Sequence, residues 1–184
     1  MKPAPLSIAG PQQLQKWIAL NDTVMGGSSQ ASCSITPEGL LLKGELVERA
    51  GGFVSCRSPR FTPPLNLSAY SALKLEIEGE GRTLKLALAC YDSALGLTEL
   101  IPGGLRWVAP LPTQASGISV ITIPFRNLCP TIQARPLKLP LRFNPGKVTR
   151  LQILYSKFSA EGGANPSFCP GPVRILLRSV HAVD

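Results

Sequence analysis

The chain has 184 residues, 44% of them hydrophobic, and carries 19 Lys and Arg against 11 Asp and Glu for a formal net charge of +8. That length suits one well-buried core and is short for two full-sized domains, so the expectation is a single domain over residues 1–184. No apolar run approaches the roughly 20 residues that a membrane-spanning helix needs, and scattered cysteines with a lone His181 speak against a zinc site.

Residues 1–10 read as a loose lead-in, with Lys2, Pro3, Pro5 and Gly10 and neither an apolar run nor an Arg-rich amphipathic pattern of a targeting segment. The expectation is therefore a cytoplasmic protein, with a peripheral position at a membrane surface as its extension. Pro11 then stands where a first helical residue would, and Leu14, Trp17 and Ile18 follow at i, i+3 and i+4 spacing. One short helix is predicted, ended by Asn21-Asp22 and Gly26-Gly27.

The run from Trp17 to Ser29 reads as a core anchor delivering a tight loop, Asn21-Asp22-Thr23-Val24-Met25-Gly26-Gly27-Ser28. A second glycine pair, Gly51-Gly52, precedes the apolar stretch Phe53-Val54-Ser55-Cys56-Arg57. Two such corners could meet at one end of a sheet. Asp22 carries two readings. It caps its own turn by accepting backbone N–H groups, or it joins Asn21, Met25 and Arg57 in a recognition surface, with Met as an adaptable apolar contact and Arg as a forked donor.

From there the apolar period is two. It runs through Ala31-Cys33-Ile35, Leu40-Leu42, Leu73-Leu75-Ile77, Leu84-Leu86-Leu88-Cys90, Ile121-Ile123-Phe125, Leu151-Ile153-Tyr155 and Val173-Ile175-Leu177. Polar residues such as Lys74, Glu76, Lys85, Thr122, Gln152 and Arg174 fill the alternate positions. Thr62 to Ser68 reads as a crossover without strand, and Asn144-Pro145-Gly146-Lys147 as a turn. Between Tyr91 and Ser119 the pattern breaks at Pro102, Gly103, Gly104, Pro110, Pro112 and Gly117, around one strand near Leu105 to Ala109 with Trp107 in the core. Short one-sided strands with Pro- and Gly-rich connections predict an all-β, antiparallel jelly-roll sandwich with one short N-terminal helix.

The charge is one-sided. Residues 101–160 contain Arg106, Arg126, Arg135, Lys138, Arg142, Lys147, Arg150 and Lys157 and no Asp or Glu. That asymmetry points to an anionic partner, the plainer reading being a solvated basic face. Cys33, Cys56 and Cys90 sit among apolar strand residues and are expected to stay reduced, while Cys129 and Cys169, each before a proline, are the candidate loop thiols.

Catalytic readings lack parts. A triad would rest on His181 alone, next to the C-terminus. Gly146-Lys147 is followed by Val148 rather than Ser or Thr, and Gly79-Glu80-Gly81 lacks the third glycine of a dinucleotide fingerprint. Glu76, Glu78 and Glu80 alternate on a strand, where carboxylates are normally solvated. The expectation is a non-enzyme without cofactor or metal.

The Trp17, Asn21-Asp22, Met25-Gly26-Gly27-Ser28 and Gly51-Gly52-Phe53 set resembles the complex I intermediate-associated protein family. The likeness continues through Leu67-Ser68-Ala69-Tyr70, Gly79-Glu80-Gly81-Arg82 and Pro124-Phe125-Arg126. It departs at Leu84, where the family commonly has an aromatic, and at Arg126-Asn127, where it has an acidic residue. The resemblance implies a galactose-binding-like β-sandwich and an assembly factor for respiratory complex I, with relatives tied to biogenesis of photosynthetic complexes. Partner subunits of a membrane-associated complex would then be held by Asn21, Asp22, Met25, Gly26, Gly27, Ser28, Gly51, Gly52, Phe53 and Arg57. Arg126, Arg135, Lys138, Arg142 and Lys147 would meet an anionic membrane surface or an acidic subunit. The alternatives are an RNA-binding module that stacks bases among these cations, and a carbohydrate- or ligand-binding sandwich.

Overall fold

Period-two stretches become strands because alternation lets one face of each bury while the other stays wet. The computed structural model describes residues 2–91 and 104–184, so Pro102 and Gly103 of the irregular segment lie outside the described residues. In chain order the elements are β1 (Leu6–Ala9), α1 (Pro11–Leu14), β2 (Ile18–Ala19), β3 (Gln30–Thr36), β4 (Gly39–Leu46), β5 (Phe53–Arg57) and β6 (Ala72–Glu78). They continue as β7 (Thr83–Cys90), β8 (Arg106–Pro112), β9 (Ser119–Pro124), β10 (Cys129–Ile132), β11 (Arg135–Pro136), β12 (Val148–Ser156) and β13 (Gly171–Val183).

Two antiparallel sheets face each other. One runs β3-β4-β13-β6-β9 with β1 also on β13, and the other runs β11-β10-β8-β7-β12-β5-β2. Leu42, Leu75, Ile77, Ile175 and Leu177 from the first meet Leu84, Leu86, Leu88, Leu151, Ile153 and Tyr155 from the second, all without solvent exposure. Each such aliphatic side chain contributes about 1.5–3 kcal/mol on burial. Trp107 is core as predicted, edge-on to Phe143 at 5.7 Å between ring centres. Among the described residues no helix is long and apolar enough to cross a membrane.

Three expectations are corrected. The lead-in is not loose: Leu6–Ala9 pairs with the end of β13 and buries Ile8 and Ala9. The helix stops after one turn, because Trp17 turns into the core while Ile18, 53% exposed, leaves the helical face and, as the start of β2, pairs with Arg57 of β5. Cys129 opens a strand rather than a loop, since β10 and β11 form a hairpin whose turn residues, Gln133 and Ala134, take φ of 47° and 62°. Such turns normally recruit Gly or Asn, so nothing in the local sequence announced this one.

Candidate functional site

The two glycine corners meet on one carboxylate. Asp22 begins a 3-10 turn, Asp22–Met25, and is fully shielded from solvent. Its Oδ1 accepts the Ser29 N–H at 2.9 Å, and its Oδ2 accepts the Ser29 hydroxyl at 2.7 Å and the Gly52 N–H at 2.7 Å, with a longer contact from the Phe53 N–H at 3.4 Å. The Ser29 Oγ in turn accepts the Val47 N–H at 2.9 Å. Burial opposes ionisation here, but the donors from Gly52, Ser29 and Phe53 outweigh it and hold the carboxyl below its usual range.

This contact explains the glycines one by one. A Cβ on Gly27 or on Gly51 would overlap the Asp22 carboxyl. Gly26, by contrast, has open space around it and is needed for its φ of 85°, which closes the 3-10 turn. Gly52 has φ of 113° and presents its N–H to Asp22. Asp22 therefore bonds groups far along the chain rather than capping its own turn. Being buried, it is corrected from a contact residue to the clasp that stiffens the corner. Gly52 is also buried.

What the clasp leaves outside is apolar. Val24 is 63% and Met25 70% exposed at the tip of the turn, beside exposed Gly26 and Ser28. Phe53 is half-buried next to Gly52, and Lys157, whose N–H donates to Gly52 O, carries its ammonium 5.4 Å from the centre of the exposed Phe158 ring. Asn21 points inward, donating through Nδ2 to Ala31 O at 2.9 Å. Arg57 stands half-buried on β5 with its Nε buried and without an acceptor. Sequence reasoning did not single out Val24 at this corner; the apolar pair Val24-Met25 inside an otherwise polar loop was the available signal.

The predicted basic residues are spread. Arg126, just after β9, and Arg135, Lys138 and Arg142, along the hairpin and the stretch after it, are all exposed, while Phe143 packs 5.2 Å from Phe125. Lys147 instead stands over the Tyr91 ring at 5.6 Å. Lys85, one of the polar residues at the alternate strand positions, has only 6% of its surface exposed.

Cys33 and Cys56 face each other from the inner faces of opposite sheets. The hydrogen bond between their thiols draws Cys33 down against its own burial, and that bond together with complete burial pushes Cys56 well up. Native-state alkylation with iodoacetamide at pH 7.5 should therefore modify exposed Cys129 and Cys169, then Cys33, and spare Cys56 until denaturant is added. Peptide mapping that finds Cys56 labelled as fast as Cys33 would refute this arrangement.

Among the described residues no cluster of His, Cys, Asp and Glu could hold a metal ion. The fold is similar to that of the family 11 carbohydrate-binding module of the cellulosomal cellulase Lic26A-Cel5E of Clostridium thermocellum. That pair is 11% identical with a TM-score of 0.68, over 98% of this chain and 95% of that one. A structure of the family 11 module from Clostridium thermocellum in complex with a beta-1,3-1,4-mixed-linked tetrasaccharide matches with the same identity and score over 97% and 95%. The agarase AgWH50C, 7% identical with a TM-score of 0.57, covers 99% of this chain, which spans 25% of the agarase. At these identities the likeness shows a jelly-roll sandwich and no more. A comparison with curated proteins finds no match. The family model described as complex I intermediate-associated protein 30 matches residues 6–172, and the chain belongs to that family.

Proposed function

We propose that this protein is a non-catalytic binding module that helps assemble a membrane-associated respiratory or photosynthetic complex, by docking unassembled subunits on the Asp22-clasped corner. The observation that carries the reading is the pair Val24 and Met25, exposed on a loop whose backbone is fixed from beneath. A large apolar tip on a rigid support has little ordering entropy left to lose on docking. Met adds a contact that adapts to different partner surfaces. Phe53, half-buried and following the Gly52 N–H that Asp22 accepts, adds apolar area beside the same clasp. Membership in a family named for complex I intermediates supports the class of partner.

Arg126, Arg135, Lys138 and Arg142 serve as the steering charge toward an acidic subunit or an anionic membrane surface. The aromatic evidence favours protein over RNA or sugar. Trp17 and Trp107 are both core residues, and Phe125, Phe143 and Trp107 pack on one another instead of presenting a stacking platform.

The test is affinity capture from native membranes with the double variant Val24→Ser, Met25→Ser. Both side chains are exposed, so stability should change by no more than about 0.5 kcal/mol, while recovery of partner subunits should fall about tenfold. Equal recovery by variant and wild type would overturn the assignment of the corner.

A further inference from the structure

Four strands, β3, β9, β11 and β2, end the two sheets, and three of them are obstructed. β2 and β11 have two residues each, and β11 is Arg135-Pro136, a cation followed by a residue without an N–H. On β3 the Ala31 carbonyl is taken by the Asn21 side chain. β9 is different. Its six residues, Ser119-Val120-Ile121-Thr122-Ile123-Pro124, carry no charge, and beyond β6 they pair with no other strand among the described residues.

The register shows which backbone groups of β9 are spare. Pro124, which has no N–H, stands opposite Ala72, and the bond flanking this pair runs from the Phe125 N–H to Ser71 O. Ladder bonds to β6 therefore come from Ser119, Ile121 and Ile123, and the N–H and C=O groups of Val120 and Thr122 point to the free side. Those groups make no hydrogen bond among the described residues. Nothing crowds them either. Val120 is 58% exposed, Thr122 is exposed, and Gly117 just before the strand has open space around it. On the outer face Lys74 of β6 stands beside Thr122 and Glu76 beside Val120, and neither forms an ion pair among the described residues.

We propose that β9 is a self-association edge, on which a second copy of this chain pairs antiparallel about a two-fold axis at Ile121. Val120 then exchanges both backbone bonds with the partner's Thr122, and Thr122 with the partner's Val120, so every spare group is used. The flanking charges favour a second copy as the occupant. Each outer-face row reads Lys74, Thr122, the partner's Val120, the partner's Glu76, with opposite charges at its ends. An axis at Val120 would instead put both copies of Glu76 in one row. An axis at Thr122 would join both copies of Lys74 and set Val120 against Pro124, which has no N–H to give. One register is thus selected. So short an edge makes a small interface, and the dimer is reversible. β9 lies at the opposite end of its sheet from β3, which follows the docking corner, so both corners of the pair stay free.

Sedimentation velocity of the full chain, in a concentration series reaching about 1 mM, tests the pairing. The expected result is a reversible monomer–dimer equilibrium. Val120→Pro removes a free-side N–H from each copy without costing a bond to β6, and should weaken the dimer about tenfold or more. Its urea midpoint checks that the fold survives. Glu76→Lys puts like charges in each row and should weaken the dimer about threefold, while Lys74→Glu combined with Glu76→Lys should restore it. Where Val120→Pro fails to fold, the charge pair decides alone. A chain that stays monomeric throughout overturns the edge, as does a dimer that Val120→Pro and Glu76→Lys both leave intact. Association that continues past the dimer overturns the two-fold pairing. The Val24→Ser, Met25→Ser protein should dimerise like wild type, so failure of the docking corner and failure of this edge read out separately. A dimer lost in that variant would place the contact at the corner and overturn this assignment.

Discussion

Asp22→Ala should cost about 3–5 kcal/mol of stability, measured as a fall in the urea midpoint, because the truncation strands the Gly52 and Ser29 N–H groups and the Ser29 hydroxyl in a buried corner. Asp22→Asn should cost less yet still be damaging, since an amide keeps one acceptor and turns an NH2 toward a donor. The glycines offer an independent check on the same contact. Gly27→Ala and Gly51→Ala each force a Cβ into the Asp22 carboxyl and should approach the Asp22→Ala cost, whereas Gly26→Ala, with open space and only its φ to defend, should cost about 1 kcal/mol. If Asp22→Ala and Gly51→Ala both fall within about 1 kcal/mol of wild type, the corner does not depend on this clasp.

The same carboxyl sets an acid limit. Its folded-state pKa lies below the ordinary value of 3.8, so its contribution is fully present above 3.8 and is lost as pH falls through the lower folded value. Asp22→Asn should therefore show a flatter stability profile than wild type in that acid range and the same profile near neutrality.

Much of the sandwich was legible because its cause is local. Leu84-Leu86-Leu88 and Leu151-Ile153-Tyr155 alternate, and alternation alone sends them to one face. The corner was legible in composition but not in mechanism. Two glycine pairs beside an Asp announced a tight site, but the partners of Asp22 lie 7 and 30 residues away, beyond any turn rule. Other features were hidden for the same reason. The Leu6–Ala9 strand exists because β13 runs long enough to receive it, and four residues between prolines carry no period of their own. The Gln133-Ala134 turn uses residues that do not favour positive φ, so it follows from the strands it joins. Lys85 misled most. A polar residue between core leucines reads as solvent-facing, and it does face outward, but the loop that roofs it comes from far later in the chain.

Lys85→Met should make the protein more stable by about 3 kcal/mol at pH 7, an unusual direction for a change at a buried position. The sign follows from where the proton sits. The amine titrates at about 8 in the folded chain against 10.5 for a freely solvated lysine. Below pH 8 both states hold the proton, and the folded one carries the full desolvation cost. Between pH 8 and 10.5 the folded protein has released its proton while the unfolded chain keeps it, so wild type gains stability as pH rises. The advantage of Lys85→Met should accordingly be largest at and below neutral pH and shrink toward pH 10.5, leaving only the difference in packing between the two side chains. Lys85→Arg, which cannot shed its charge, should bring no relief at any pH. Urea titrations at pH 7, 8.5 and 10 decide the matter: a methionine variant that is less stable than wild type, or a gap that does not move with pH, would mean that the ammonium has a partner in the folded chain.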